Sequence, residues 1–316
     1  MSERFSRRDA LYSLGAVFLT GTGIFLGLDK LLAPLDLNQR KHTFHRLYDD
    51  IGMPEGKEKL RAWLLFQGAQ AYAASRGDNL TAEAQQRYLF GDGTDWDITP
   101  QLTQHLLSRH GPYTGAIRDP DQALTLFYQH GIQNSFDNAQ RIDKSFHTGM
   151  EPNIFQRAIK QRKPFTLETQ GIADGGMFSR DVLSTLGRFT VYNQGEISTI
   201  QSTSTPMRHG WYLNQHGGTA HMYDIHDWNH TQPHKLGGRI SAAEILESIL
   251  VPLGATNPRE SARKIFGSAL EDATIEIRGE HAILLEEHGL AKPFPIYTQP
   301  HQMRTDHSWY IPDNFF

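Results

Sequence analysis

Residues 179–201 read SRDVLSTLGRFTVYNQGEISTIQ, and a change of period inside this stretch decides the fold class. Ser179 to Leu186 predicts a short helix that ends at Gly187. From Phe189 the pattern becomes β-like. Two runs, Phe189–Tyr192 and Ile197–Gln201, flank Asn193-Gln194-Gly195-Glu196, which reads as a hairpin turn.

Upstream of this switch the chain has helical periods. Leu60, Trp63, Leu64, Ala71 and Tyr72 are helically spaced within 57–76, and Gly77 follows as a stop. Thr99-Pro100 starts a second helix with Leu102, Leu106 and Leu107 on one face and Gly111 beyond it. Asp119-Pro120 repeats that start before Leu124, Phe127 and Tyr128, and Gly131 reads as the stop. A fourth helix over 151–163 is broken by Pro164.

Downstream, Gly210–Leu213 and Thr219–Trp228 are strand candidates. Ser241-Ala242-Ala243-Glu244 reads as a capping box opening a helix to Val251. Another helix runs from Asn257-Pro258 to Phe266. Thr274–Arg278 and Ala282–Leu285 around Gly279-Glu280 predict a second hairpin, and the tail from Lys292 predicts irregular chain. The expected class is α+β, a helical N-terminal half followed by a small antiparallel sheet with flanking helices. The expected organisation is a signal anchor or export signal at 1–28, a linker at 29–56, a helical region at 57–165 and a mixed region at 166–316. A single continuous domain over 57–316 stays open.

Composition removes several classes of function. The 316 residues contain no Cys, so disulfides, thiolate zinc sites, iron–sulfur clusters and a Cys nucleophile are excluded. The net charge of −4 gives no basic stripe for wrapping nucleic acid. With 38% hydrophobic residues there is ample material for a core. Mean hydropathy of −0.50 argues against a polytopic membrane protein.

At the N-terminus, Arg4, Arg7 and Arg8 precede an uncharged run from Leu11 to Leu28. Eighteen helical residues span about 27 Å, enough for a bilayer core of roughly 30 Å. The positive-inside bias then predicts a single-pass inner-membrane protein, with residues 11–28 in the membrane and 29–316 in the periplasm. Ser6-Arg7-Arg8-Asp9-Ala10-Leu11 resembles the bacterial twin-arginine export signal, with Ala10 where that signal has a bulky apolar residue.

Six of the sixteen histidines fall between His209 and His234, and the densest stretch is HMYDIHDWNH, residues 221–230. Imidazoles pass protons near neutrality, and carboxylates orient them or act as bases. Regular alternation puts Met222, Asp224, His226 and Trp228 on one face of a strand and His221, Tyr223, Ile225 and Asp227 on the other. A solvated edge strand, guarded by its charges, is the competing reading. A metal site drawn from His221, Asp224, His226 and His230 is a third. No HExxH, GxSxG, P-loop or GxGxxG motif is present.

Tyr223-Asp224 with His230 resembles the Tyr-Asp and later His of colicin-M-like bacteriocins, which cleave the phosphodiester of a lipid-linked peptidoglycan precursor. In this register His221 replaces the family's first Asp and Thr231 its Arg. A second register places Asp224 and Asp227 on the two Asp positions, with His226 for the Tyr and His234-Lys235 for the His-Arg. The resemblance implies an α+β catalytic domain, magnesium or another divalent cation, and phosphodiester hydrolysis. It implies catalytic roles for Tyr223, Asp224, Asp227, His230 and Arg239, and metal ligation by Asp224 and His226. Asp224 or Asp227 would hold the metal or activate water, and His230 or His226 would transfer a proton. Arg239 or the metal would steady the phosphate oxygens. The alternative is a membrane-anchored, non-enzymatic binding protein whose aromatic tail (Phe294, Tyr297, Trp309, Tyr310, Phe315 and Phe316) forms a binding surface.

Overall fold

The computed structural model describes residues 37–108, 112–113, 117–141, 147–149, 151–202, 210–228, 234–235, 250–251, 255–266, 276–303 and 306–312. Its class is α+β. The chain divides into two compact units, Met1–Gly93 with Asp227–Phe294, and Thr94–His226 with Pro295–Phe316.

The first unit is organised by α2 (Gly56–Arg76), which α1 (Leu37–Asp49) precedes and α3 (Asn79–Phe90) follows. α1 and a turn of 3-10 helix occupy most of the stretch expected to be a linker. Leu60, Trp63, Leu64 and Phe66 of α2 are fully buried. Trp63 lies against the rings of Phe44 and Phe90, and Phe66 against Tyr88. The expected stop is real: Gly77 adopts φ +77°, and its N–H reaches the carbonyls of Ala73 and Ala74. Arg40 donates to Gln70 Oε1 at 2.9 Å and stands over the Phe90 ring, and burial pushes its guanidinium down to about 10. β7 (His234–Lys235), α8 (Pro258–Phe266), β8 (Glu276–Ile277) and α9 (Gly279–Glu287) complete the unit, and β7 pairs with β8. The expected hairpin at Gly279-Glu280 is the start of α9 instead. That start has no Ser, Thr, Asp or Asn cap to read; the His281 imidazole accepts the Arg278 backbone N–H at 3.1 Å.

The second unit is a sheet faced by helices. Its elements are β1 (Trp96–Asp97), α4 (Thr99–Leu107), α5 (Pro120–Arg141), β2 (His147–Thr148), α6 (Pro152–Gln161), β3 (Phe165–Asp174), α7 (Arg180–Leu186), β4 (Arg188–Ser202), β5 (Gly210–Gln215), β6 (Thr219–His226), β9 (Phe294–Tyr297), β10 (His301–Gln302) and β11 (His307–Pro312). Among the described residues the sheet has nine strands in the order β1-β9-β6-β4-β3-β2, with β10 on β6 and β5 between β4 and β11. The β1–β9 pair is parallel, so the sheet is mixed rather than wholly antiparallel.

β4 replaces the expected hairpin. It runs unbroken for 15 residues through Asn193-Gln194-Gly195-Glu196. β3 pairs with it on one side. On the other, β5 and β6 follow one another along the same line, pairing Ile197↔Gln215 and Gln194↔Thr219. Between those pairs His216, Gly217 and Gly218 oppose Gly195 and Glu196, a bulge of one extra residue. Gly217 and Gly218 have φ +72° and +128°. A Cβ on Gly195 would stand 2.5 Å from Gln215 Nε2 and 2.6 Å from the Gly217 carbonyl. This glycine therefore serves close packing, not a turn. Asn193 and Gln215, both buried, exchange two amide hydrogen bonds of 2.9 and 3.1 Å across the same point.

Gly131 was expected to stop a helix, yet α5 runs through it. Its Cβ would lie 3.3 Å from Val191 Cγ2 and 3.9 Å from Ala173 Cβ, so the glycine brings α5 close to β3 and β4. Phe127 of α5 stacks on Phe189 and packs against Phe178. The tail is ordered too. Phe294, Trp309 and Ile311 are buried, which removes Phe294 and Trp309 from the expected binding surface. Phe315 and Phe316 lie outside the described residues.

Asp97 anchors α4. Its Oδ1 accepts from the Thr99 N–H at 2.9 Å and the Thr99 hydroxyl at 2.6 Å, while Oδ2 accepts from Gln299 Nε2 at 2.9 Å. Burial pushes this carboxyl upward, but the hydrogen bonds outweigh it and hold the pKa below the ordinary Asp value. A depressed folded-state pKa adds stability that is complete above the unfolded pKa of about 3.9 and is lost as pH falls through the folded value. Asp97→Asn should therefore cost about 1 kcal/mol at neutral pH. Thermal unfolding followed by circular dichroism should show the gap between the two proteins closing as pH falls below the unfolded Asp value. A gap that persists unchanged into acid would rule out the carboxylate as its source.

The expected single-pass inner-membrane placement is corrected: among the described residues no helix is long and apolar enough to cross a membrane. Residues 6–28, which carry both the twin-arginine resemblance and the expected span, lie outside the described residues. The expected helix from Ser241 does too, apart from 250–251.

Candidate functional site

β6 alternates as its sequence dictates. Ala220, Met222 and His226 point to the core, and Tyr223 and Ile225 are exposed. Asp224 lies on the core-side row and is half-buried, so Tyr223 and Asp224 leave the strand on opposite faces. The edge-strand reading is corrected by the strand order, since β6 is interior, between β4 and β9. Its outer row instead lines a face of the sheet. There the His221 ring stacks on cross-strand Tyr192, with centroids 4.8 Å apart, and burial lowers the His221 pKa below its ordinary value.

The end of β6 is tied to α7. His226 is buried, and its Nδ1 lies 3.0 Å from the Thr185 carbonyl oxygen. A carbonyl can only accept, so Nδ1 carries a proton and Nε2 is the nitrogen through which the ring exchanges its other proton.

The remaining predicted residues are not gathered on β6. Asp227 and Trp228 belong to the first unit, where the Trp228 ring meets Phe66 edge-on at 5.2 Å. In that unit the Tyr88 hydroxyl donates to Glu286 Oε1 at 2.6 Å. Burial, then Glu286, then the charge of Asp227 push its phenol upward. His234 and Lys235 form β7. His230, Thr231 and Arg239 lie outside the described residues.

The metal expectation fails on the donor set. Asp224 and His226 share a row of β6, but among the described residues no group of three or more His, Asp or Glu side chains could hold a metal ion. Asp224 and His226 by themselves supply two donors, short of the six or more oxygen ligands that magnesium or calcium takes.

Three imidazoles escaped the sequence reading. His105, His216 and His301 each stand between a hydroxyl and a carboxylate: Ser179 and Asp181, Ser198 and Asp306, Thr125 and Asp121. For His105 and His301 the hydroxyl is 74 and 176 residues away, so no local motif marks them. His216 does lie in the histidine-dense stretch 209–234, but its carboxylate partner Asp306 is 90 residues away.

No family model matches the chain, and no curated protein matches it. Among solved structures it is similar to truncated bacteriocin syringacin M from Pseudomonas syringae pv. tomato DC3000. Sequence identity is 12%, 96% of this chain and 98% of that chain are covered, and the TM-score is 0.31.

Proposed function

We propose that this chain is a hydrolase of a lipid-linked or cell-wall phosphodiester, with Asp224 as the general base. The observation that carries the reading is the half-buried carboxylate of Asp224 on the core-side row of β6, one alternation before the buried, oriented imidazole of His226. The resemblance of Tyr223-Asp224 and the following residues to the colicin-M-like motif supports it. In this scheme Asp224 takes the proton of the attacking water, and His226, carrying a proton on each ring nitrogen, gives its Nε2 proton to the departing oxygen. The exposed Tyr223 and Ile225 offer apolar surface on the other face of the strand.

The test is hydrolysis of purified lipid-linked peptidoglycan precursor by the full chain, with release of the phosphorylated disaccharide followed by chromatography. Asp224→Asn should lower the rate at least ~100-fold, the scale of general-base catalysis. Its melting temperature should stay within a few degrees of the parent. Unchanged turnover in Asp224→Asn, or no turnover by the parent chain, would overturn the assignment.

A further inference from the structure

The three hydroxyl–imidazole–carboxylate groups differ in burial, and burial decides which could work as a nucleophile. A serine is activated when its imidazole is held by a desolvated carboxylate and its own oxygen still meets solvent. In the Ser198 group the imidazole and carboxylate of His216 and Asp306 are 45% and 72% exposed, so water screens the pair. In the Thr125 group the hydroxyl and the imidazole of His301 are themselves buried, which closes the oxygen to substrate. The Ser179 group has the productive gradient. The Asp181 side chain is 2% exposed, that of His105 is 7% exposed, and Ser179 is half-buried at the surface.

The atoms also lie in order. His105 Nδ1 faces Asp181 Oδ2 at 3.4 Å, and His105 Nε2 lies 2.8 Å from Ser179 Oγ. With the ring proton on Nδ1, toward that carboxylate, Nε2 is free to accept the serine O–H. Ser179 Oγ in turn accepts the Val182 N–H at 3.1 Å, which fixes its rotamer. Met177 and Leu183, both 44% exposed, flank Ser179 two residues before and four after it, the latter one helical turn along.

We infer that Ser179, His105 and Asp181 form a second catalytic site, an acyl-transfer site for carboxylic esters with an apolar acyl group. Ser179 Oγ attacks the ester carbonyl carbon while its proton moves to His105 Nε2. The tetrahedral adduct expels the alcohol, which takes that proton as the carbon–oxygen bond breaks. Water then attacks the acyl-serine, giving its proton to Nε2, and the carboxylic acid departs as Ser179 recovers it. Asp181 is a positioning residue that holds the imidazole and its charge.

The experiment uses the full chain, a fluorophosphonate probe with peptide mapping, and p-nitrophenyl butyrate hydrolysis. Ser179→Asn is the informative variant, because Asn caps a helix as well as Ser does but offers no nucleophile. The parent should be labelled at Ser179. The folded Ser179→Asn chain should lose the label and at least ~100-fold in ester hydrolysis. Asp181→Asn should lower kcat and alter its pH profile more than KM. Parent protein that stays unlabelled at Ser179, or Ser179→Asn that hydrolyses the ester at the parental rate, would overturn the inference.

Discussion

Gly218→Ala is expected to lower the melting temperature by about 8–16 °C. The residue sits in the bulge where β5 hands over to β6, with φ +128°, a conformation that an L side chain rarely adopts. A Cβ there would stand 2.2 Å from the Gln194 carbonyl oxygen and 2.8 Å from Gly195 Cα. Both are backbone atoms of the central strand and cannot swing aside. Strain at such a φ costs roughly 1–3 kcal/mol, and overpacking a similar amount. The displaced chain also presses on Gln215, whose amide is 2.6 Å from the same Cβ and pairs with Asn193 in the core. A total near 4 kcal/mol converts to the stated shift at about 2–4 °C per kcal/mol for a unit of this size. Gly217→Ala is the control. Its φ of +72° is milder and its nearest contact, the Met303 carbonyl, lies at 3.4 Å, so about 1 kcal/mol is expected. Equal melting temperatures for Gly218→Ala and the parent would refute this account of the bulge.

The same bulge shows where the sequence was readable. Gly210–Leu213 and Thr219–Trp228 stand out as separate strands because a glycine pair divides them, and both exist. That both lie along one neighbour is a long-range fact with no local trace. Asn-Gln-Gly-Glu carries the residues of a turn, but here Gly195 is small because the bulge passes over it, and Asn193 is polar because Gln215 faces it. Local chemistry and tertiary chemistry select the same residue types at that point. β3 was missed for another reason: its inward residues include Leu167 and Ala173 but also Thr169 and Gly171, so its apolar alternation is faint. Helices with ordinary signals, such as Gly56–Arg76 and Arg180–Leu186, were legible to within a residue at each end. At the candidate site the alternation of β6 was legible, whereas the imidazole–hydroxyl pairs were not, because folding rather than spacing brings them together.

Trp63→Ala should remove about 3–5 kcal/mol from the first unit, the usual cost of deleting a fully buried aromatic. The indole is 0% exposed and packs between Phe44, with centroids 6.3 Å apart, and Phe90, edge-on at 6.4 Å. α2 is the element on which α1 and α3 pack, so the cavity would open where three helices meet. Trp63→Phe divides the loss into parts. The Trp63 Nε1–H is buried and has no hydrogen-bond acceptor among the described residues. A buried donor left unsatisfied costs about 1–3 kcal/mol. Phenylalanine keeps one aromatic ring against Phe44 and discards that donor, so part of the packing loss is offset and a net change under about 1.5 kcal/mol is expected. Urea unfolding monitored by far-ultraviolet circular dichroism compares the three proteins without relying on the deleted fluorophore. The midpoint should fall steeply for Ala and barely for Phe. If Trp63→Phe lost as much stability as Trp63→Ala, the indole N–H would have to make a stabilising bond, and the core of the first unit would need a different account.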